Sequence, residues 1–175
     1  AVGSCNENYG PGDIVVIKDF LDFTKSRPIT FFEGGDEPVR HVDMGDPYCK
    51  NLREKFYDIA KKEGIEIKGD AVYVCTEGPR FETSSEIKMY KNIGGDVVGM
   101  TNVPEVVLAK ELGMCYATVG IISNWCTGIV GDITSHDIQG PLASNKEKLT
   151  KAFIEVFKED LDQDHCNCNN SIVEL

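Results

Sequence analysis

The sequence predicts an α/β domain in which helices cover a mostly parallel or mixed sheet. Short apolar, β-branched runs alternate with segments of helical period along the chain. Turn chemistry separates them, as at Gly78-Pro79 after the run 72–75. The 175 residues are 41% hydrophobic and 27% charged, ordinary values for one domain with a sizeable core. No internal repeat, linker or domain boundary is visible.

Residues 1–11 read as a Gly/Asn/Pro-rich loop, although Ala1-Val-Gly-Ser4 looks like the end of a strand entering a Gly turn. Residues 13–20 (DIVVIKDF) read as a buried strand. Residues 22–47 are long and irregular, with Arg27-Pro28, Gly34-Gly35 and Gly45-Asp46-Pro47; such loops are usually functional or disordered. A helix is expected over 48–63, where Leu52, Phe56, Ile59 and Ala60 recur at helical spacing and Gly64 stops it. A strand follows at 72–76. Thr83 with Glu86 three residues on has the pattern of a capping box opening a helix over 84–93. Residues 96–100 read as a short strand, and a helix follows to Gly113 with Val106, Val107, Ala109 and Leu112 on its apolar face. The run 115–122 (CYATVGII) is the most hydrophobic strand. Residues 129–133 read as loop and 134–159 as the last helix, before an acidic, polar tail over 160–175.

The formal net charge of −11 argues against nucleic acid or an anionic membrane as the main partner. No apolar run approaches membrane-spanning length and no signal peptide is seen, so a cytoplasmic location is expected. An anionic small substrate needs a local pocket rich in N–H groups or positive charge. The seven cysteines are not a secreted disulfide framework: the number is odd, and several lie in apolar runs. Cys75 and Cys115 read as small core hydrophobes in strands. No CxxC pair with zinc spacing appears.

Three turns follow three successive strands, at 77–83, 99–102 and 123–128. They carry Phe81, Glu82, Met100, Thr101 and Asn124. If the strands are neighbours, these side chains converge at the carboxyl edge of the sheet, where ligands bind in open α/β folds. Each has a plainer reading. Glu82 suits a helix N-terminal turn. Thr101 is a natural N-cap, Asn124 a common turn residue and Met100 a core residue. His41 lies on a polar loop, where solvation is the default, and His136 fits the first turn of the last helix. Cys126 has no base nearby in sequence, so a thiol nucleophile is not expected. GxSxG, HExxH, Walker A and GxGxxG motifs are all missing. From the residues alone the site is a small-molecule pocket with an aromatic face, a carboxylate and an amide.

Thr76-Glu-Gly-Pro-Arg-Phe-Glu-Thr83, Gly99-Met-Thr-Asn-Val-Pro-Glu105 and Ile121-Ile-Ser-Asn-Trp125 resemble motifs of the trimeric purine nucleoside phosphorylase and methylthioadenosine phosphorylase family. Ala1-Val-Gly-Ser4, residues 13–28 and His41 to Tyr48 look similar too, in the same order, so the resemblance covers roughly residues 1–158. It implies a three-layer α/β/α fold and phosphorolysis of a purine nucleoside, with inorganic phosphate as co-substrate and no metal or organic cofactor. It implies that Phe81 stacks on the base, Glu82 and Asn124 hydrogen-bond it, and Met100 lies under the sugar. Thr101 and the Ala1 backbone contact phosphate in this reading, and His136 lies near the 5′ substituent. His41 reaches a neighbouring subunit's ligand, so a homotrimer or hexamer is implied.

The pair Glu82 and Asn124 favours the 6-oxopurine branch. A carboxylate accepts from N1–H and an amide donates to O6 or N7, whereas adenine presents the reverse pattern. Adenine-specific relatives carry an Asp where this chain has Cys126, which supports the same preference. Inosine, guanosine and methylthioinosine all remain open, with methylthioadenosine as the alternative. The family's Gly-rich phosphate loop and Arg-His pair fall upstream of Ala1. The domain is therefore expected to lack roughly the first third of a family member, and a non-catalytic purine-binding fragment is a further alternative. Cys166-x-Cys168 resembles the C-terminal CxC of heat-stable archaeal members, where a disulfide can form; an unpaired polar tail is the plainer reading.

Overall fold

A computed structural model describes residues 1–36, 38–130 and 139–174. Five strands form a closed, mixed sheet in the order β1 (Val2–Ser4), β5 (Val97–Gly99), β4 (Ile67–Thr76), β2 (Ile14–Phe23), β6 (Val119–Trp125). β2, β4 and β5 run one way, while β1 and β6 run the other. Among the described residues, four α-helices flank them: α1 (Lys50–Lys62), α2 (Ser84–Asn92), α3 (Asn102–Glu111) and α4 (Gln139–Lys158).

Period-two alternation divides the strand side chains between two faces. Val15 and Ile17 of β2, Tyr73 and Cys75 of β4 and Ile122 of β6 pack with Val103 and Val106 of α3 and with Tyr48. Ile14 and Val16 face the other way, onto Phe56 and Ile59 of α1 and Leu149 and Val156 of α4. Val74 and Val98 meet Ile87 and Tyr90 of α2. The mixed sheet between helices is the fold that the sequence predicts.

Several boundaries differ from the sequence reading, among them the end of β2, which runs on to Phe23. β4 begins at Ile67, because Ile67, Gly69 and Asp70 pair with Ile14, Val15 and Val16 of β2 in spite of the weak apolar signal there. The Tyr9 hydroxyl donates to Asp70 O at 2.9 Å and the Tyr57 hydroxyl to Asp70 Oδ1 at 2.8 Å, anchoring that entry. β6 begins at Val119, leaving Cys115 ahead of the strand, and the Tyr116 carbonyl and Thr118 side chain are engaged away from the sheet. Tyr116 O accepts from Cys49 N–H at 2.8 Å, and the Thr118 hydroxyl donates to Asn102 Oδ1 at 3.2 Å. Within the long segment 22–47, β3 (Arg40–Val42) pairs antiparallel with β7 (Ile172–Glu174), so the C-terminal segment is tied to the body of the domain. Of the expected last helix, residues 134–138 lie outside the described residues. Among the described residues, no helix is long and apolar enough to cross a membrane.

Candidate active site

The candidate residues meet, but not at one carboxyl edge. β6 is antiparallel to β2, and β1 is inserted between β5 and β6. A three-residue strand whose partners lie about a hundred residues away carries no local sequence signal for its place. Register sets Val98 of β5 opposite Gly3 of β1, and Gly3 opposite Asn124 of β6. Over this row lies a cavity of about 210 Å³. Ala1, Phe81, Glu82, Met100, Thr101 and Asn124 all line it, together with Ser123 and Cys126. Gly3 is required there: a Cβ would sit 2.8 Å from Cys126 Sγ and 3.4 Å from Asn124 Nδ2.

The turn after β4 positions Glu82. Buried Thr76, the last residue of β4, donates its hydroxyl to Glu82 Oε1 at 2.7 Å. Gly78 takes φ +67°, and a Cβ on it would come within 2.5 Å of Met100 Sδ, so glycine lets Met100 lie against the turn. The capping box forms: Glu86 N–H donates to Thr83 Oγ1 at 3.2 Å, and Thr83 N–H donates to Glu86 Oε2 at 2.7 Å. Arg80 grips the same carboxylate through two bonds, 2.9 and 2.7 Å long. Arg80 first, then the capping N–H, hold the Glu86 carboxyl down at about 2. Phe81 is 56% exposed at the cavity mouth.

Asn124 is oriented by its neighbours. Its Oδ1 lies 2.7 Å from the Ser123 hydroxyl, which accordingly can donate to it, and its Nδ2 donates to Trp125 O at 2.9 Å. The amide has two N–H groups, so this bond uses one and leaves a second for a ligand. Thr101 precedes α3 without a side-chain cap bond, so its hydroxyl is not consumed as an N-cap. Its N–H donates to the Tyr73 hydroxyl at 3.4 Å. Burial pushes the Cys126 thiol up, which keeps it protonated and unsuited to nucleophilic attack.

Two supporting residues escape the sequence reading. Arg27 donates to Val103 O, and to Thr76 O and Glu77 O at 3.1 Å each, pinning the end of β4 to the start of α3. A lone Arg before a Pro in an irregular loop carries no motif. Ser123 reads as a turn residue, yet its hydroxyl sits between Val2 O at 3.1 Å and Asn124. His41 is apart from the cavity: it is exposed on β3, opposite Val173 of β7. His136 lies outside the described residues.

Comparison with known proteins gives the same direction. A probable 6-oxopurine nucleoside phosphorylase of Dictyoglomus turgidum is 46% identical over 175 residues, covering 99% of this chain and 66% of that protein. A probable S-methyl-5′-thioinosine phosphorylase of Methanopyrus kandleri is 55% identical over 130 residues, 74% of this chain and 50% of that one. The solved methylthioadenosine phosphorylase from Schistosoma mansoni in complex with tubercidin superposes with a TM-score of 0.82 at 27% identity, over 91% of this chain and 64% of that one. The chain thus spans about two thirds of the length of relatives such as the Dictyoglomus protein. The model of the phosphorylase superfamily matches residues 1–158, the stretch that contains both the closed sheet and every described residue of the cavity, and the chain belongs to that superfamily.

Proposed function

We propose that the protein is a purine nucleoside phosphorylase acting on 6-oxopurine nucleosides. Phosphate is the co-substrate, and the products are the free purine and (deoxy)ribose 1-phosphate or methylthioribose 1-phosphate. One observation carries the reading: Glu82 and Asn124 line a single small cavity with Phe81 at its mouth. At about 210 Å³ the space is below the roughly 300–1,000 Å³ of clefts that enclose drug-sized ligands, which suits a base with its sugar toward the opening.

In the proposed reaction an oxygen of hydrogen phosphate forms a bond to C1′ while the C1′–N9 bond breaks, the electron pair leaves with the purine, and the proton that the phosphate gives up passes through solvent to the purine. The second N–H of Asn124 donates to N7 or O6 and stabilises the developing anion, while Glu82 accepts from N1–H. Phe81 stacks on the base and Met100 lies under the sugar. The Thr101 hydroxyl and the Ala1 backbone contact phosphate, and His136 approaches the 5′ substituent. This chemistry calls for no metal or organic cofactor. His41 serves a neighbouring subunit in a homotrimer, or a hexamer of two trimers. In support, the segment leading to His41 exposes Ile29, Phe31 and Val39. The role assigned is purine salvage in the cytoplasm.

Cleavage of methylthioadenosine is the second reading, favoured by the name and ligand of the Schistosoma protein. Turnover of inosine, guanosine, methylthioinosine, adenosine and methylthioadenosine, with and without phosphate, separates the two. It is measured on this chain and on a polypeptide extended upstream through the expected Gly-rich loop. Inosine or methylthioinosine is expected to lead, strictly dependent on phosphate. A higher kcat/KM for the adenine nucleosides overturns the 6-oxo assignment, and a rate indifferent to phosphate overturns phosphorolysis. Hypoxanthine binding without turnover by either polypeptide indicates a purine-binding protein instead.

A further inference from the structure

We propose that Cys49, Cys115, Cys166 and Cys168 form a tetrathiolate site for a structural zinc ion. The inference is independent of the purine cavity. The four Sγ atoms all lie within 4.8 Å of one another, and Cys115 Sγ and Cys166 Sγ are 3.6 Å apart. A tetrahedron with Zn–S bonds of about 2.3 Å has edges of about 3.8 Å, so small side-chain adjustments close the set around one ion. All four thiols are free. The sequence shows no zinc spacing because the ligands come from three distant segments: the residue capping α1, the loop between α3 and β6, and the C-terminal segment. Cys166 and Cys168 alone resemble a redox pair; the fold adds two more sulfurs.

The surroundings suit a closed metal site. Cys49 and Cys168 are buried and Cys115 and Cys166 half-buried, so the sulfurs are shielded yet reachable. Their backbone is held without an ion. Cys49 N–H donates to Tyr116 O at 2.8 Å, and Cys166 N–H to Gln163 O at 3.2 Å. The Ser171 hydroxyl lies 2.7 Å from Lys110 O and 3.0 Å from Cys168 O. The Gln163 amide donates to Gly113 O at 2.8 Å and reaches Cys115 Sγ at 3.6 Å, a partner of the kind that supports a metal ligand from outside. Four thiolates and a divalent ion leave two negative charges. The N-terminus of α1 beside Cys49 favours them, as do Lys50 and Lys110 in the adjoining cleft, while Asp43, Asp46 and Asp164 there oppose them. Four sulfurs in a tetrahedron select zinc or iron, and a closed site without an open position is the structural zinc pattern.

The full chain, purified without added metal or chelator, is expected to carry one zinc per chain by elemental mass spectrometry. Chelator-stripped protein titrated with Co(II) is expected to develop intense thiolate-to-cobalt charge-transfer absorption that saturates at one equivalent. Stripping is expected to lower Tm by about 5–10 °C, recovered on adding Zn(II). Cys115→Ser and Cys168→Ser are expected to lose the bound zinc and the cobalt bands; Cys5→Ser, a buried thiol outside the cluster, keeps both. Wild-type protein that gives no cobalt charge transfer overturns the site even if the variants fail to fold. A Cys166–Cys168 disulfide in freshly purified protein overturns it in favour of a redox pair, and stoichiometric iron overturns the choice of zinc.

Discussion

Asn124→Asp tests how the cavity reads a purine. The amide lies with Oδ1 2.7 Å from the Ser123 hydroxyl and Nδ2 2.9 Å from Trp125 O. A carboxylate keeps the contact with Ser123 and loses the bond to Trp125. In the proposed complex it also replaces the N–H that meets O6 or N7 with an acceptor. That acceptor repels a 6-oxopurine and suits the amino group of adenine. A hydrogen bond involving a charged group contributes about 1.5–3 kcal/mol. At about 1.4 kcal/mol per tenfold, the preference for hypoxanthine over adenine is expected to fall by about 10- to 150-fold. The assay is the ratio of dissociation constants for the two bases, measured with the ratio of kcat/KM for inosine and adenosine in phosphate buffer. Thermal melts run alongside, because the new carboxylate faces the Trp125 carbonyl. An unchanged ratio in a variant that still melts cooperatively refutes contact between residue 124 and the base.

Gly78→Ala forces a side chain into φ +67° and a Cβ to within 2.5 Å of Met100 Sδ. The conformation alone costs about 1–2 kcal/mol, and displaced Met100 is expected to weaken nucleoside binding; unchanged stability and affinity count against the close packing. Arg27→Met removes the guanidinium donors from the carbonyls of Thr76, Glu77 and Val103. It is expected to cost about 2–4 kcal/mol in urea denaturation, and a loss below about 1 kcal/mol argues that Arg27 does not hold the turn. Carboxyl-resolved NMR is expected to find Glu86 titrating at about 2, and to find it raised in Arg80→Ala but still below the ordinary range, because the capping Thr83 N–H remains. Because folding depresses this pKa, its contribution to stability is complete above the ordinary Glu value of about 4.3 and is lost as pH falls toward 2.

The stretch from β4 through the turn to α2 is legible in the sequence because every signal in it is local. An apolar run is broken by Gly78-Pro79, and Thr83 with Glu86 closes a capping box that forms as the pattern predicts. The convergence of Phe81, Glu82, Met100 and Thr101 is legible too, because each follows a strand, whereas Asn124, read as a turn residue, lies within β6. The geometry of that convergence is not, since it depends on β1 entering between β5 and β6. Thr101 shows the limit of local rules: it has the composition of an N-cap, yet makes no cap bond. Arg27 and the four-cysteine cluster are invisible for one reason. Their partners are fixed by long-range packing, at separations such as 76 residues from Arg27 to Val103 and 51 from Cys115 to Cys166.

α3 connects the two centres. Its N-terminal end borders the cavity through Thr101, and the adjoining Asn102 is clamped by the Tyr48 hydroxyl at 2.5 Å and the Thr118 hydroxyl at 3.2 Å. The regular helix starts at Pro104, after a non-helical Val103 (φ −106°, ψ 129°), and its other end, about 12 Å along the axis, is tied to the C-terminal segment. Lys110 O bonds to Ser171 and Gly113 O to Gln163, while a Cβ on Gly113 would lie 3.2 Å from Asn169 Cα. Val103, with its non-helical backbone, separates this stiff stretch from Thr101, whose own place is held by its N–H bond to the Tyr73 hydroxyl. Residues 166–171 therefore hold the C-terminal end of α3, and their hold reaches no further toward the cavity than the break at Val103.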